Sequence, residues 1–298
     1  MNRYLEAKPL RAMLVWLPML PMVLHPLSAS ASKVSAPALK DSPTAPSNPV
    51  IEVPRREVKD VPHALQEEVD GGDKQRVFVD TLLPLVLMEN ELIEGKRKKM
   101  LKHFASLARG EALGAEDREW LRTLAADYRV DRDPLTDSQA RRELLGRVDI
   151  VPVDLALAQA ATETGWGASH SARKDRDLFG MTGMRSHHTI RTASGRVVRA
   201  PKFSSLREAV RTYIHNLNSH DAYQSLRAIR TKLRTEQRTL QGGAVADGLV
   251  KYSTRGVRYV KQIRTVIHQH NLNRYINARL LPSHDQVVAL EGGMAYAN

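Results

Sequence analysis

The most restrictive stretch of this 298-residue chain runs from Asp154 to Gly183, DLALAQAATETGWGASHSARKDRDLFGMTG. Leucine and alanine recur in its first part at helical spacing, which predicts a helix from Asp154 to about Thr164. Leu155, Leu157, Ala158 and Ala161 form the buried stripe, and the alanines let neighbouring elements approach closely. Asp154 reads as the N-cap behind Pro152, and Gly165 and Gly167 stop the helix. One carboxylate, Glu163, is left in the last turn. A helix C-terminus carries partial negative charge, and Trp166 stands beside it in sequence. Both disfavour the ionised form and keep the acid protonated nearer to neutral pH. A protonated carboxyl against an aromatic wall suits a general acid that protonates a glycosidic oxygen. The same residue type also serves as a solvated helix end, where Glu is commonest.

Further blocks bear on that choice. The run Ala158–Gly167, AQAATETGWG, followed by Asp177-Leu178-Phe179-Gly180-Met181, resembles the signature of bacterial glucosaminidase-domain proteins, on their Bax-like side. Phe203-Ser204-Ser205, Asn216-Leu217-Asn218 with Ala222-Tyr223, and Tyr252-Ser253-Thr254-Arg255-Gly256 with Tyr259 follow in the family's order, so the resemblance spans roughly residues 145–280. It implies a mostly helical, lysozyme-like α+β fold with a small β-hairpin lobe and an N-terminal helical extension. It also implies cleavage of the β-1,4 glycan strand of peptidoglycan, after N-acetylglucosamine, by an endo-β-N-acetylglucosaminidase. Glu163 takes the position of the acid and Tyr252 that of the tyrosine held beside it. Trp166, Phe179 and Tyr223 are the candidate substrate-binding residues, Phe179 packing under the site. No cofactor and no metal are expected. His268 and His270 point to different faces of one helix, and the chain has no cysteine.

One departure bears on mechanism. Some glucosaminidase-domain members place a second carboxylate in the β-lobe, but no Asp or Glu lies between Gly180 and Phe203 here. Glu208 and Asp221 are nearby alternatives, and Glu208 also reads as a first-turn helix residue after a Ser205 cap. Three routes stay open: the substrate's own N-acetyl group as nucleophile, internal closure as in a lytic transglycosylase, or Glu163 as sole acid and base with water placed by Tyr252. A non-catalytic peptidoglycan-binding or scaffold module is the rival reading.

The ends of the chain speak to location. Arg3, Lys8 and Arg11 precede the apolar run Ala12–Leu24, and Ala29-Ser30-Ala31 offers a small-residue cleavage site. Residues 1–31 therefore read as a secretory signal peptide, too short and proline-broken to span a membrane comfortably. The expectation is an exported, periplasmic, monomeric protein that meets the membrane only through that segment, or an inner-membrane anchor if the segment is retained. Residues 32–62 are rich in Ser, Pro and Ala and read as a disordered linker. The formal charge is +12, or +10 without the signal, which favours polyanions. Export directs that charge to anionic wall polymer and away from nucleic acid.

Between linker and site, residues 63–147 read as a helical N-terminal region packed on the catalytic helix. Helices are expected from Asp73 to about Phe104, kinked or ended at Pro84, then over Asp117–Arg129 and Ser138–Arg147. Trp120 and Tyr128 are core candidates. The runs Lys96-Arg97-Lys98-Lys99 and Arg227–Arg238 read as solvated faces. Residues 148–282 are the expected catalytic domain, with a hairpin pairing Thr189–Thr192 with Val197–Ala200, and residues 283–298 are a flexible tail.

Overall fold

The computed structural model describes residues 49–65, 71–181, 188–191, 197–200 and 202–282. The signal-peptide reading, most of the linker and the tail lie outside these residues. Among the described residues nine α-helices dominate: α1 Gly71–Ala108, α2 Ala115–Asp127, α3 Ser138–Arg147, α4 Val153–Thr164, α5 His170–Asp175, α6 Leu206–Ser219, α7 Gln224–Thr235, α8 Gly242–Val245 and α9 Val257–Gln269. The same residues hold four short strands, β1 Glu52–Val53, β2 His188–Arg191, β3 Val197–Ala200 and β4 Arg279–Leu280, in two separate two-stranded sheets. The expected mostly helical α+β class with one antiparallel hairpin is what the described residues form. In the hairpin, Ile190 pairs with Val198 and Arg191 with Val197.

Helix α4 lies at the centre because nearly all of it is apolar and small. Val153–Ala161 is buried without a break, and α4 packs against α1, α8 and α9. Gly165 ends it in the left-handed conformation, its N–H reaching back to the Ala161 carbonyl. Its start differs from expectation. Pro152 occupies the N-cap position and Asp154 sits inside the first turn, fully buried. Both Asp154 carboxylate oxygens accept from the backbone N–H of Gly242, at 2.9 Å each. The side chain joins α8 to α4 in place of capping its own helix.

Helix α1 does not end at Pro84. It runs on for 38 residues, and Thr81 to Asn90 are buried throughout. Proline in a helix interior costs about 3 kcal/mol. Burial of Leu82, Leu83, Leu85, Val86 and Leu87 on both sides of it exceeds that, at roughly 1.5–3 kcal/mol per side chain. Ser205 caps α6 as expected, its Oγ accepting from the Glu208 N–H at 3.1 Å. The Glu208 carboxylate reaches past the cap residue to the Ser204 N–H and hydroxyl.

The solvated-face reading holds for most of both basic runs and fails at particular arginines. Arg230 is fully buried and donates to the carbonyls of Gly146, Asp149 and Ile150 and to Asn218 Oδ1. Arg234 forks onto the buried Asp149 carboxylate, and Arg97 of α1 donates to the carbonyls of Leu145 and Val148. These cations therefore tie α1, α3 and α7 to the turn before α4. The periodic pattern misses Arg230 because a fully buried arginine needs partners from several elements at once.

The linker expectation also fails at its C-terminal end. β1 pairs in parallel with β4, and Val53 and Val61 are buried. The Leu206 N–H donates to the Lys59 carbonyl at 3.0 Å, and Arg55 forks onto Glu91 of α1. Proline-rich composition indicates a chain that makes few local bonds. It does not forbid an extended segment from bonding to distant ones.

Candidate active site

Glu163 sits in the last turn of α4 with its side chain 21% exposed. Its Oε1 is buried without a hydrogen-bond partner. A carboxylate oxygen in that position is costly while charged and tolerable while protonated. Burial accordingly raises the Glu163 pKa. The Tyr259 hydroxyl and the Arg255 cation pull it down, and the neighbouring Asp177 charge pushes it up again. Arg255 holds Nη2 3.9 Å from Oε1 and lies over the Tyr259 ring, 5.0 Å from its centroid.

The loop after α5 supplies the wall opposite. Asp177 is buried, and its Oδ1 accepts from the N–H groups of Phe179 and Met181, at 3.1 and 3.2 Å. Burial raises its pKa while those N–H donors lower it. The turn it folds places Gly180 at φ +61°, where a Cβ would stand 3.3 Å from Glu163 Oε2. Glycine is required there both for the left-handed backbone and for the space. The group that approaches so closely is the carboxyl of the candidate acid itself.

The aromatic residues divide into two groups. Tyr252 donates its hydroxyl proton to the Phe179 carbonyl at 2.7 Å, and its ring stacks on Tyr259 with centroids 5.4 Å apart. The Tyr252 pKa stands well above the ordinary phenol value, because of burial and the nearby Tyr259, Tyr213 and Glu163. Tyr223 continues the row, 6.0 Å from Tyr252, and burial also raises its pKa. The row Tyr223, Tyr252, Tyr259 thus leads to the carboxyl.

Phe179 and Trp166 lie elsewhere. The Phe179 ring is fully buried and stacks on Tyr213 at 3.8 Å, so it packs in the core and has no surface to offer a sugar. This corrects its placement among substrate-binding residues while keeping it under the site. Trp166, at φ +61°, packs edge-on against Phe78 of α1 and against His270 beyond α9. It anchors the turn after α4. The aromatic wall foreseen beside the acid is made by Tyr259 and Tyr252. Tyr259 was visible in sequence only as the last letter of a matching block.

The other carboxylates are engaged away from Glu163. Glu208 holds Ser204, and Asp221 is 90% exposed and pairs with Arg147.

Residues 138–272 match the glucosaminidase family, described as mannosyl-glycoprotein endo-beta-N-acetylglucosaminidase. The protein bax of Escherichia coli (strain K12) is 34% identical over 195 residues, covering 65% of this chain and 69% of that protein. The chain belongs to the Bax-like glucosaminidase-domain family. As a member of this glycoside hydrolase family it places its matched segment from α3 through α9, which contains Glu163, Asp177, Tyr252 and Tyr259. Two solved structures are similar. The catalytic domain of the autolysin Auto from Listeria monocytogenes has 16% identity and a TM-score of 0.33, covering 59% of this chain and 96% of that one. The C-terminally truncated glycoside hydrolase domain of FlgJ from Salmonella typhimurium has 19% identity and a TM-score of 0.31, covering 52% and 97%. At these scores, membership rests on the sequence matches alone.

Proposed function

We propose that the protein is an exported endo-β-N-acetylglucosaminidase that cleaves the β-1,4 glycan strand of peptidoglycan, with Glu163 as general acid. The observation that carries this reading is the Glu163 carboxyl itself: half-buried, one oxygen unpartnered, raised in pKa and backed by Gly180. An acid of this kind keeps its proton toward neutral pH and delivers it to the leaving glycosidic oxygen. Family membership supports the glycan as substrate, and the net charge of +12 supports an anionic wall polymer.

The second step follows from where the other carboxylates lie. Asp177 is buried with Oδ1 committed to backbone donors, Glu208 caps α6, and Asp221 faces solvent. None is free to attack C1 or to activate water. We assign the nucleophile to the substrate's own acetamido oxygen. It attacks C1 as Glu163 protonates the leaving oxygen, and water then opens the ring intermediate while the Glu163 carboxylate takes the water's proton. Tyr252 has spent its proton on Phe179, so its role is to hold the Gly180 loop against the acid, with one lone pair left to accept.

The test is digestion of purified peptidoglycan by the full chain and by Glu163→Gln, read by mass spectrometry. New reducing N-acetylglucosamine ends from wild type alone support the reading. Reducing N-acetylmuramic ends mean a muramidase, and anhydro ends a lytic mechanism. The β-lobe segment without Asp or Glu favours one rival, a wall-binding module without turnover. If both proteins bind sacculi and neither releases fragments, that rival stands. Export is tested by the mature N-terminus of the periplasmic fraction.

A further inference from the structure

Behind Glu163 runs a line of hydrogen bonds that the proposed reaction does not by itself require. Gln159 lies one turn before Glu163 on α4 and is fully buried. The Tyr213 hydroxyl of α6 donates to Gln159 Oε1 at 2.7 Å, and Gln159 Nε2 donates to the Tyr259 oxygen of α9 at 3.0 Å. Tyr213 and Tyr259 are fully buried too. Three elements therefore contribute to one polar thread through the core, and its outer end, Tyr259, stands beside the candidate acid, where Arg255 lies over its ring and holds Nη2 3.9 Å from Glu163 Oε1.

The thread has a direction, and Tyr213 sets it. A buried phenol must place its proton on an acceptor, and the acceptor here is Gln159 Oε1. A carboxamide has one acceptor end and one donor end. Once Oε1 faces Tyr213, the NH2 group must face Tyr259. The Tyr259 oxygen then receives a hydrogen bond from behind, and its own proton can go only forward. With the amide flipped, Tyr213 would keep an unpaired buried proton, and Tyr259 could turn its proton away from Glu163 toward the amide oxygen.

We propose that Gln159 and Tyr213 are positioning residues, which lock the Tyr259 hydroxyl as a hydrogen-bond donor to the Glu163 carboxyl. The lock serves catalysis after proton transfer. The carboxylate left behind meets a donor already in place, so no group has to turn during the reaction. The groups facing Glu163 are Tyr259 of α9, Tyr252 and Arg255 from the turn before it, and Asp177 from the opposite loop. Arg255 stabilises the charged form and Asp177 destabilises it, and both stay in place when Tyr213 is altered. The inference rests on reading Glu163 as the acid, and the test separates the two.

Tyr213→Phe removes one oxygen and leaves the ring that stacks on Phe179. Gln159→Met removes the amide at similar volume. Two readouts are taken on the full chain. One is the NMR titration of the Glu163 carboxyl in carbon-13-glutamate protein, its resonance assigned by loss in Glu163→Gln. The other is the pH profile of kcat/KM on peptidoglycan. With the donor unlocked, the carboxyl titrates about half to one pH unit higher in both variants, and the alkaline limb moves up equally. kcat falls about tenfold. Tyr259→Phe gives the full shift and sets the scale. A merely structural role moves the melting temperature and leaves the titration where it was, and that result in Tyr213→Phe overturns the proposal. If Tyr213→Phe loses its near-ultraviolet circular dichroism, Gln159→Met decides by the same criterion. If Glu163→Gln retains turnover, the acid reading fails, while the titration still judges the lock.

Discussion

Around Glu163 the geometry is tight enough for single atoms to matter. Gly180→Ala puts a methyl group 3.3 Å from Oε2 and forces a left-handed backbone on alanine. The strain costs roughly 1–2 kcal/mol, and the displaced carboxyl costs more in rate than in stability. The expected outcome is a kcat reduced at least about tenfold with KM little changed, measured on peptidoglycan beside a thermal melt. Tyr252→Phe frees the Phe179 carbonyl of its hydroxyl partner. Its cost is about 1 kcal/mol of stability, seen in urea unfolding, with a partial loss of kcat from the loosened loop. Much at this scale was legible in the sequence: an acid at a helix end, a glycine that admits close approach, a tyrosine in the following block. The role of Phe179 was not legible. A phenylalanine beside a glycine looks the same in a core and in a groove, and only the Tyr213 ring stacked on it tells them apart.

Among the elements, α4 carries the clearest dependence on pH. Burial lifts the Asp154 pKa to about 6, against which the N–H donors of Gly242, Leu155 and Asp154 itself pull down. The folded protein therefore holds this proton more tightly than the unfolded chain, whose Asp titrates near 4. Its contribution is fully favourable below about pH 4 and is lost as pH rises through about 6. The upper limit of that loss is on the order of 3 kcal/mol. Glu163 and Asp177, raised in the same direction, add to the slope. Urea unfolding of wild type and Asp154→Asn from pH 4 to 7 should show wild type losing stability relative to the variant across that window. A flat difference would mean that Asp154 ionises as readily in the fold as in the unfolded chain. The α4 helix and its glycine stop could be read from period and composition. Its cap could not, because Asp154 is drawn inward by α8, an element 88 residues away.

At the scale of the molecule, the segment before α1 holds the candidate site from behind. Val61 and Leu65, with Phe78, fill the space over Gly167, and a Cβ there would lie 3.1 Å from Leu65 and 3.7 Å from Val61. Gly167 follows the helix end that bears Glu163. A chain beginning at residue 63 loses Val53, Val61, the β1–β4 pair and the Arg55–Glu91 fork. It should be less stable than a chain beginning at residue 49 by roughly 3 kcal/mol or more, from two buried valines alone. Denaturant unfolding of the two would measure it, and equal midpoints would show the segment to be dispensable.

The sequence by itself determined the class of the fold, the α4 helix with its acid at the end, the hairpin, the Ser205 cap and the family. Each depends on residues a few positions apart, or on a motif whose spacing is its content. The tertiary structure decided what is inside. It took Arg230 from a solvated face into the core as support for Asp149, moved Phe179 from groove to core, and made a proline-rich stretch a strand beside Arg279–Leu280. It also joined Tyr213, Gln159 and Tyr259 into one directed thread. Burial and long-range hydrogen bonding are properties of groups brought together by packing, and neither helical period nor local composition encodes which distant partner will satisfy them.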